Sequence, residues 1–112
     1  PLDPLIDLYG FVTRRDIAED GSICEPPDWL AANTITVDEA LRLMTMGSAY
    51  ALFRDEEVGS IAPEKLADLI LLSENPVTVN PDRIKDVEVL MTMISGRVEY
   101  CARGHEILCP VS

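Results

Sequence analysis

The stretch Val58-Gly59-Ser60-Ile61-Ala62-Pro63-Glu64-Lys65-Leu66-Ala67-Asp68-Leu69-Ile70-Leu71-Leu72-Ser73 divides the chain into two textures. Before it, apolar residues recur at helical spacing; from Gly59 onward they gather in short runs bounded by turn formers. Residues 67–73 form one such run and read as a strand, and their unbroken apolar character predicts burial on both faces. Residues 87–94 read as a second strand. Ser95-Gly96 is a two-residue turn signal, and residues 97–101 read as the returning strand of a hairpin. Between the strands, residues 74–81 carry two prolines and two asparagines and should be irregular. Residues 81–85 are compatible with one helical turn. In the tail, residues 106–109 are a candidate for one more short strand.

Working back toward the start, Thr36-Val37-Asp38-Glu39 is a capping box. The Thr36 hydroxyl can accept from the Glu39 N–H while the Glu39 carboxylate reaches back. The helix it opens should place Ala40, Leu41, Met44 and Thr45 on one face, with Gly47 as a break or close-contact point. Residues 49–53 read as a second short helix, and the acidic run Asp55-Glu56-Glu57 leads out of it. At the other end, residues 4–15 carry Leu5, Ile6, Leu8, Tyr9 and Val12 at helical spacing, with Asp3 as N-cap and Pro4 at the first helical position. Residues 16–35 read mostly as loop, pinned to the core by Trp29 and Leu30. Helices first and strands second predict an α+β fold: N-terminal helices, including a capped helix pair, then a small sheet ending in a hairpin.

The bulk numbers exclude several classes. Nine Lys and Arg stand against 20 Asp and Glu, a formal net charge of −11. Nucleic acid and anionic membranes select basic surfaces, so neither is an expected partner. No apolar run approaches the roughly 20 residues of a membrane span. Asp3 and Asp7 interrupt the first apolar residues, and nothing there reads as a secretory signal. Three cysteines (Cys24, Cys101, Cys109) cannot all pair within one chain, so a reducing, cytoplasmic setting is expected.

The search for chemistry finds no complete active site. The single histidine lies in Cys101-x3-His105-x3-Cys109, which offers zinc-type donors, but a structural site wants four ligands and close cysteine pairs. A core-facing Cys101 and a solvated His105 are the competing reading. Glu56-Glu57 and Glu19-Asp20 are better explained as solvated turns than as acid/base pairs. Asp68 interrupts an apolar strand. It either turns outward or is buried against Lys65 or a backbone amide, and a structural role is favoured because nothing catalytic lies beside it. There is no Gly-x-Ser-x-Gly elbow, phosphate loop or dinucleotide fingerprint. Met44, Met46, Met91 and Met93 sit at packing spacings. No catalytic or cofactor-binding residue is assigned.

The ordered set Thr36 to Thr45, Ala49-Tyr50-Ala51, Val58 to Ile70, Ser73-Glu74-Asn75-Pro76 and Val89 to Val98 resembles the C-terminal end of amidohydrolase-superfamily enzymes. It is most similar to amidohydrolase family three, metal-dependent hydrolases built on a TIM barrel. Pro1 to Leu5, Tyr9 and Val12-Thr13-Arg14 resemble the segment after the eighth barrel strand. The residues that carry the pattern are Thr36, Glu39, Gly59, Lys65, Asp68 and Gly96, with Gly96-Arg97-Val98 matching the family's hairpin. One departure is Glu64, which stands where the family has a glycine in a turn that often needs positive φ. The expectation is that Glu64 adopts a slightly different turn.

The resemblance implies a C-terminal piece of a longer enzyme that acts on C–N bonds of non-peptide amides. Residues 1–57 would be the helical end of the barrel and residues 58–112 the C-terminal strands of a composite β-sandwich. A divalent metal, zinc by preference, would belong to the parent enzyme. The Ser-Asp pair and the histidine ligands of the barrel would lie upstream of Pro1, leaving this chain inactive alone. The alternative is a free-standing self-associating or protein-binding module that uses exposed strand edges. Its expected form is a dimer burying Leu5, Leu8, Leu41 and the hairpin; otherwise the partner is the remainder of the parent enzyme.

Overall fold

The computed structural model describes residues 3–109. The fold is α+β, and the contacts divide it into two units interleaved along the chain. The first comprises Pro1–Leu41 and Asn75–Val87; the second comprises Arg42–Glu74 and Glu88–Ser112.

In the first unit, α1 (Pro4–Thr13) starts where its cap dictates: the Asp3 side chain accepts from the Leu5 N–H at 2.9 Å, and Pro4 occupies the first turn. Arg14 ends the helix in the left-handed conformation, φ 58°. Leu5, Leu8 and Tyr9 form its buried face. That face packs against a 3₁₀ helix, Pro81–Asp86, whose Ile84 is fully buried and whose first turn is capped by Asn80. Each such side chain contributes about 1.5–3 kcal/mol by leaving water.

The region expected to be loop is more ordered than its composition suggests. Two short strands, β1 (Asp16–Ile17) and β2 (Ile23–Cys24), pair antiparallel, and α2 (Asp28–Ala31) follows. Arg15 holds this region through Glu25 at 3.1 Å and also pairs with Asp82. Trp29 does not pin it: its side chain is 72% exposed. On a four-residue helix its direction follows the backbone, and periodicity carries little information over so short a length.

The capping box forms at the start of α3 (Val37–Arg42). Glu39 N–H donates to Thr36 Oγ1 at 3.1 Å, and Thr36 N–H donates to Glu39 Oε1 at 3.2 Å. Ala40 is fully buried, whereas Thr45 is exposed. Gly47 is no break. The helix runs on through a π turn, Leu43–Gly47, into α4 (Ser48–Ala51). The Leu43 carbonyl accepts the Ser48 N–H, in the register of the widened turn, and also Ser48 Oγ at 3.1 Å.

The sheet of the second unit has the order β3 (Leu69–Leu72), β4 (Val89–Ile94), β5 (Arg97–Cys101), all antiparallel. Met91 on the central strand is buried. The burial of β3 on both faces is not observed: Ile70 and Leu71 are 47% and 42% exposed. The cause is position, because β3 is an edge strand with β4 as its one neighbour among the described residues. The strand expected at 106–109 is instead a 3₁₀ turn, Glu106–Leu108. Among the described residues, no helix is long and apolar enough to cross a membrane.

Candidate functional site

The residues that carry the sequence pattern do not converge on one centre. Thr36 and Glu39 are spent on the helix cap described above. Gly59 and Lys65 shape the loop that leaves α4. Gly59 has φ 101°, and a Cβ there would stand 2.9 Å from both the Ala49 Cβ and the Met46 Sδ. Only glycine permits that approach. The Leu66 N–H closes the loop on the Glu57 carbonyl at 2.8 Å. Lys65 Nζ donates inward to Ser60 Oγ at 2.9 Å and to the Val58 carbonyl at 3.4 Å. Glu64 keeps the left-handed conformation, φ 73°, where a different turn was expected. The loop's closing contacts hold the backbone there despite the steric cost to a residue with a Cβ.

Asp68 immediately precedes β3 and is exposed. Its Oδ1 accepts from the Ser95 N–H at 2.8 Å, and the Gly96 N–H donates to the Ala67 carbonyl at 3.1 Å. Asp68 thus turns outward and serves a backbone amide without being buried against it, and Lys65 points elsewhere. Gly59, Lys65, Asp68 and Gly96 therefore act as braces of the loop and of the hairpin tip.

The cysteine and histidine constellation also resolves. Cys101 and Cys109 form a disulfide with Cα atoms 6.4 Å apart, so their sulfurs bond each other. Cys24 is free and exposed. The turn through Glu106–Leu108 brings together two cysteines eight residues apart and leaves the third, Cys24, outside the bridge. His105 is exposed. Among the described residues, no group of three or more His, Cys, Asp or Glu is placed to hold a metal ion. The metal of the family therefore finds no fitting donor set in these residues.

What sequence reasoning missed is an open groove of about 570 Å³ in the second unit. Met44, Ala49, Leu52, Ile61, Leu69 and Met93 contribute to its walls. Its polar groups are hydroxyls (Thr45, Ser48, Ser60, Thr92) and the Asp68 carboxylate already engaged by Ser95; no imidazole lines it. Such a surface suits apolar groups. Leu52 and Ile61 on its walls are 69% and 88% exposed, and Phe53, next in sequence to Leu52, is 94% exposed. The run of apolar residues at 49–53 was the available signal, but periodicity alone does not tell a core face from an uncovered one.

Comparison with known proteins supplies the class. The Amidohydrolase family pattern matches residues 1–100. The chain belongs to the Amidohydrolase family. It is 30% identical over 100 residues to a protein named as amidohydrolase YtcJ of Bacillus subtilis (strain 168), covering 89% of this chain and 18% of that protein. It is 38% identical over 97 residues to the N-substituted formamide deformylase of Arthrobacter pascens, covering 87% of this chain and 17% of that enzyme. A 5'-deoxyadenosine deaminase of Methanobrevibacter smithii is 30% identical over 86 residues, 77% of this chain. The chain thus spans less than a fifth of the length of the first two relatives. No solved structure matches.

Proposed function

We propose that this chain is the C-terminal part of a metal-dependent hydrolase that acts on C–N bonds of non-peptide amides. The observation that carries the reading is the family match over residues 1–100, in a chain covering only 17–18% of its relatives. Relatives named for deformylation and deamination both break C–N bonds, which supports the reaction class. In this reading residues 1–57 come from the end of the barrel, and residues 58–112 give the C-terminal strands of a composite β-sandwich. The family's divalent metal, zinc by preference, is held by histidine and carboxylate donors elsewhere in the parent enzyme. There it would supply an activated hydroxide for attack on the amide carbon. The part played by this chain is structural: braced strands and an apolar groove that the remainder of the enzyme covers.

The test is hydrolysis of N-formyl and N-acyl amines with zinc present. The chain alone should be inactive, and the chain joined to its upstream coding sequence should be active in a chelator-sensitive way. Metal-dependent turnover by the chain alone would refute the reading.

A second reading, self-association through the same surface, is favoured by the exposed Leu52 and Ile61 on the groove walls and by the exposed Phe53 next in sequence to Leu52. Of the dimer face expected at Leu5, Leu8, Leu41 and the hairpin, Leu5 and Leu8 are already buried within the chain at 4% and 1% exposure. Sedimentation of the chain should show a dimer that Phe53→Asp dissociates; a monomer at high concentration would remove this reading.

A further inference from the structure

We propose that the Cys101–Cys109 disulfide is a redox latch, fastening residues 103–109 to the end of strand β5 and releasing them on reduction. The first argument is where the hydrogen bonds run. The His105 N–H donates to the Ala102 carbonyl, Leu108 to His105 and Cys109 to Glu106, while the Gly104 N–H donates to the Glu106 carboxylate. All of these are local to the bridged segment. The sheet is held separately: the Ala102 N–H donates to the Leu90 carbonyl at 2.8 Å, and β5 pairs with β4 from Arg97 to Cys101. Opening the bridge therefore frees the turn while leaving the ladder intact.

The second argument is access and geometry. The Cα separation of 6.4 Å lies within the range a disulfide spans without backbone movement, roughly 4.4–6.8 Å. Both cysteines are half-buried, so a small thiol or disulfide can reach them. Ile107, between them, is 95% exposed, so no packing of that side chain replaces the bridge as an anchor. The closing reagent is a low-molecular-weight disulfide such as oxidised glutathione. The thiolate of one cysteine attacks it, forms a mixed disulfide and expels one glutathione thiolate. The second cysteine thiolate then attacks the protein sulfur of that mixed disulfide and expels the other. Two protein thiols are oxidised, one glutathione disulfide is reduced to two thiols, and two protons pass to the departing thiolates. Reduced glutathione reverses the sequence.

The experiment uses the full chain carrying Cys24→Ser, so that every thiol counted belongs to the latch. After oxidised glutathione, alkylation should find no free thiol; after excess reduced glutathione, two. Trypsin cleavage after Arg103, followed by mass spectrometry, should accelerate at least fivefold on reduction, while cleavage at Arg97 within the sheet changes little. Adding Cys109→Ser should make the Arg103 site fast in both buffers. Two free thiols after oxidised glutathione would overturn the proposal. So would a bridge that survives excess reduced glutathione, since it would be a permanent staple, or an Arg103 cleavage rate indifferent to redox state.

Discussion

Asp68 Oδ1 accepts the Ser95 N–H at 2.8 Å, joining the residue that precedes β3 to the tip of the β4–β5 hairpin across 27 residues of sequence. Ser95 and Gly96 have φ of 51° and 81°, the pair of positive values that a tight two-residue hairpin turn demands. In such a turn the first N–H points away from the ladder, and Asp68 supplies its acceptor. Asp68→Ala should lower stability by about 1 kcal/mol. Asp68→Asn, which retains an acceptor oxygen, should recover most of that. Urea unfolding checks both; an unshifted midpoint in the alanine variant would show that water serves Ser95 equally well.

Gly59→Ala should be the most damaging single change in the loop. The added Cβ meets the Ala49 Cβ and Met46 Sδ at 2.9 Å, on a backbone at φ 101°. Overpacking and backbone strain together predict a loss of roughly 2–4 kcal/mol, read as a fall in thermal midpoint. A variant as stable as the parent chain would mean that the loop moves aside without cost.

Glu64→Gly should stabilise. Glu64 is held at φ 73°, where a Cβ is unfavourable, and its side chain is exposed. Relief of strain outweighs the extra freedom of glycine in the unfolded chain, leaving a gain of about 0.5–1 kcal/mol. Calorimetry decides the sign, and a lower midpoint would show that the backbone relaxes at residue 64 without help.

The Asp20 carboxyl is held below the ordinary carboxylate range, first by the Ser22 hydroxyl and then by the Ser22 amide. A depressed folded value means this turn contributes stability above the unfolded pKa and loses it as pH falls through the folded value. In an NMR titration, Ser22→Ala should move the Asp20 midpoint upward, toward an ordinary aspartate. Identical midpoints in the two proteins would rule out the hydroxyl as the cause.

Legibility in the sequence followed the range of the interactions. The caps at Asp3 and Thr36 and the turn at Ser95-Gly96 involve residues within a few positions of each other, and each was readable from spacing. The π turn at Leu43–Gly47 was not, because it is a change of hydrogen-bond register that leaves no apolar period and is supported by Ser48. The exposure of Trp29 and of β3 and the groove lined by Leu52 were equally hidden. Each depends on what lies against a residue from elsewhere in the chain.

The Asp68–Ser95 bond marks the division. By itself the sequence determined the α+β order, the helix starts at Pro4 and Val37, the hairpin and the family, since these rest on local stereochemistry and an ordered set of motifs. Only the tertiary structure decided that Asp68 serves a turn 27 residues away, that Glu64 accepts positive φ, and which apolar surface remains uncovered. Hydrogen bonds and apolar burial act through space, and the chain order alone does not give the distances on which they depend.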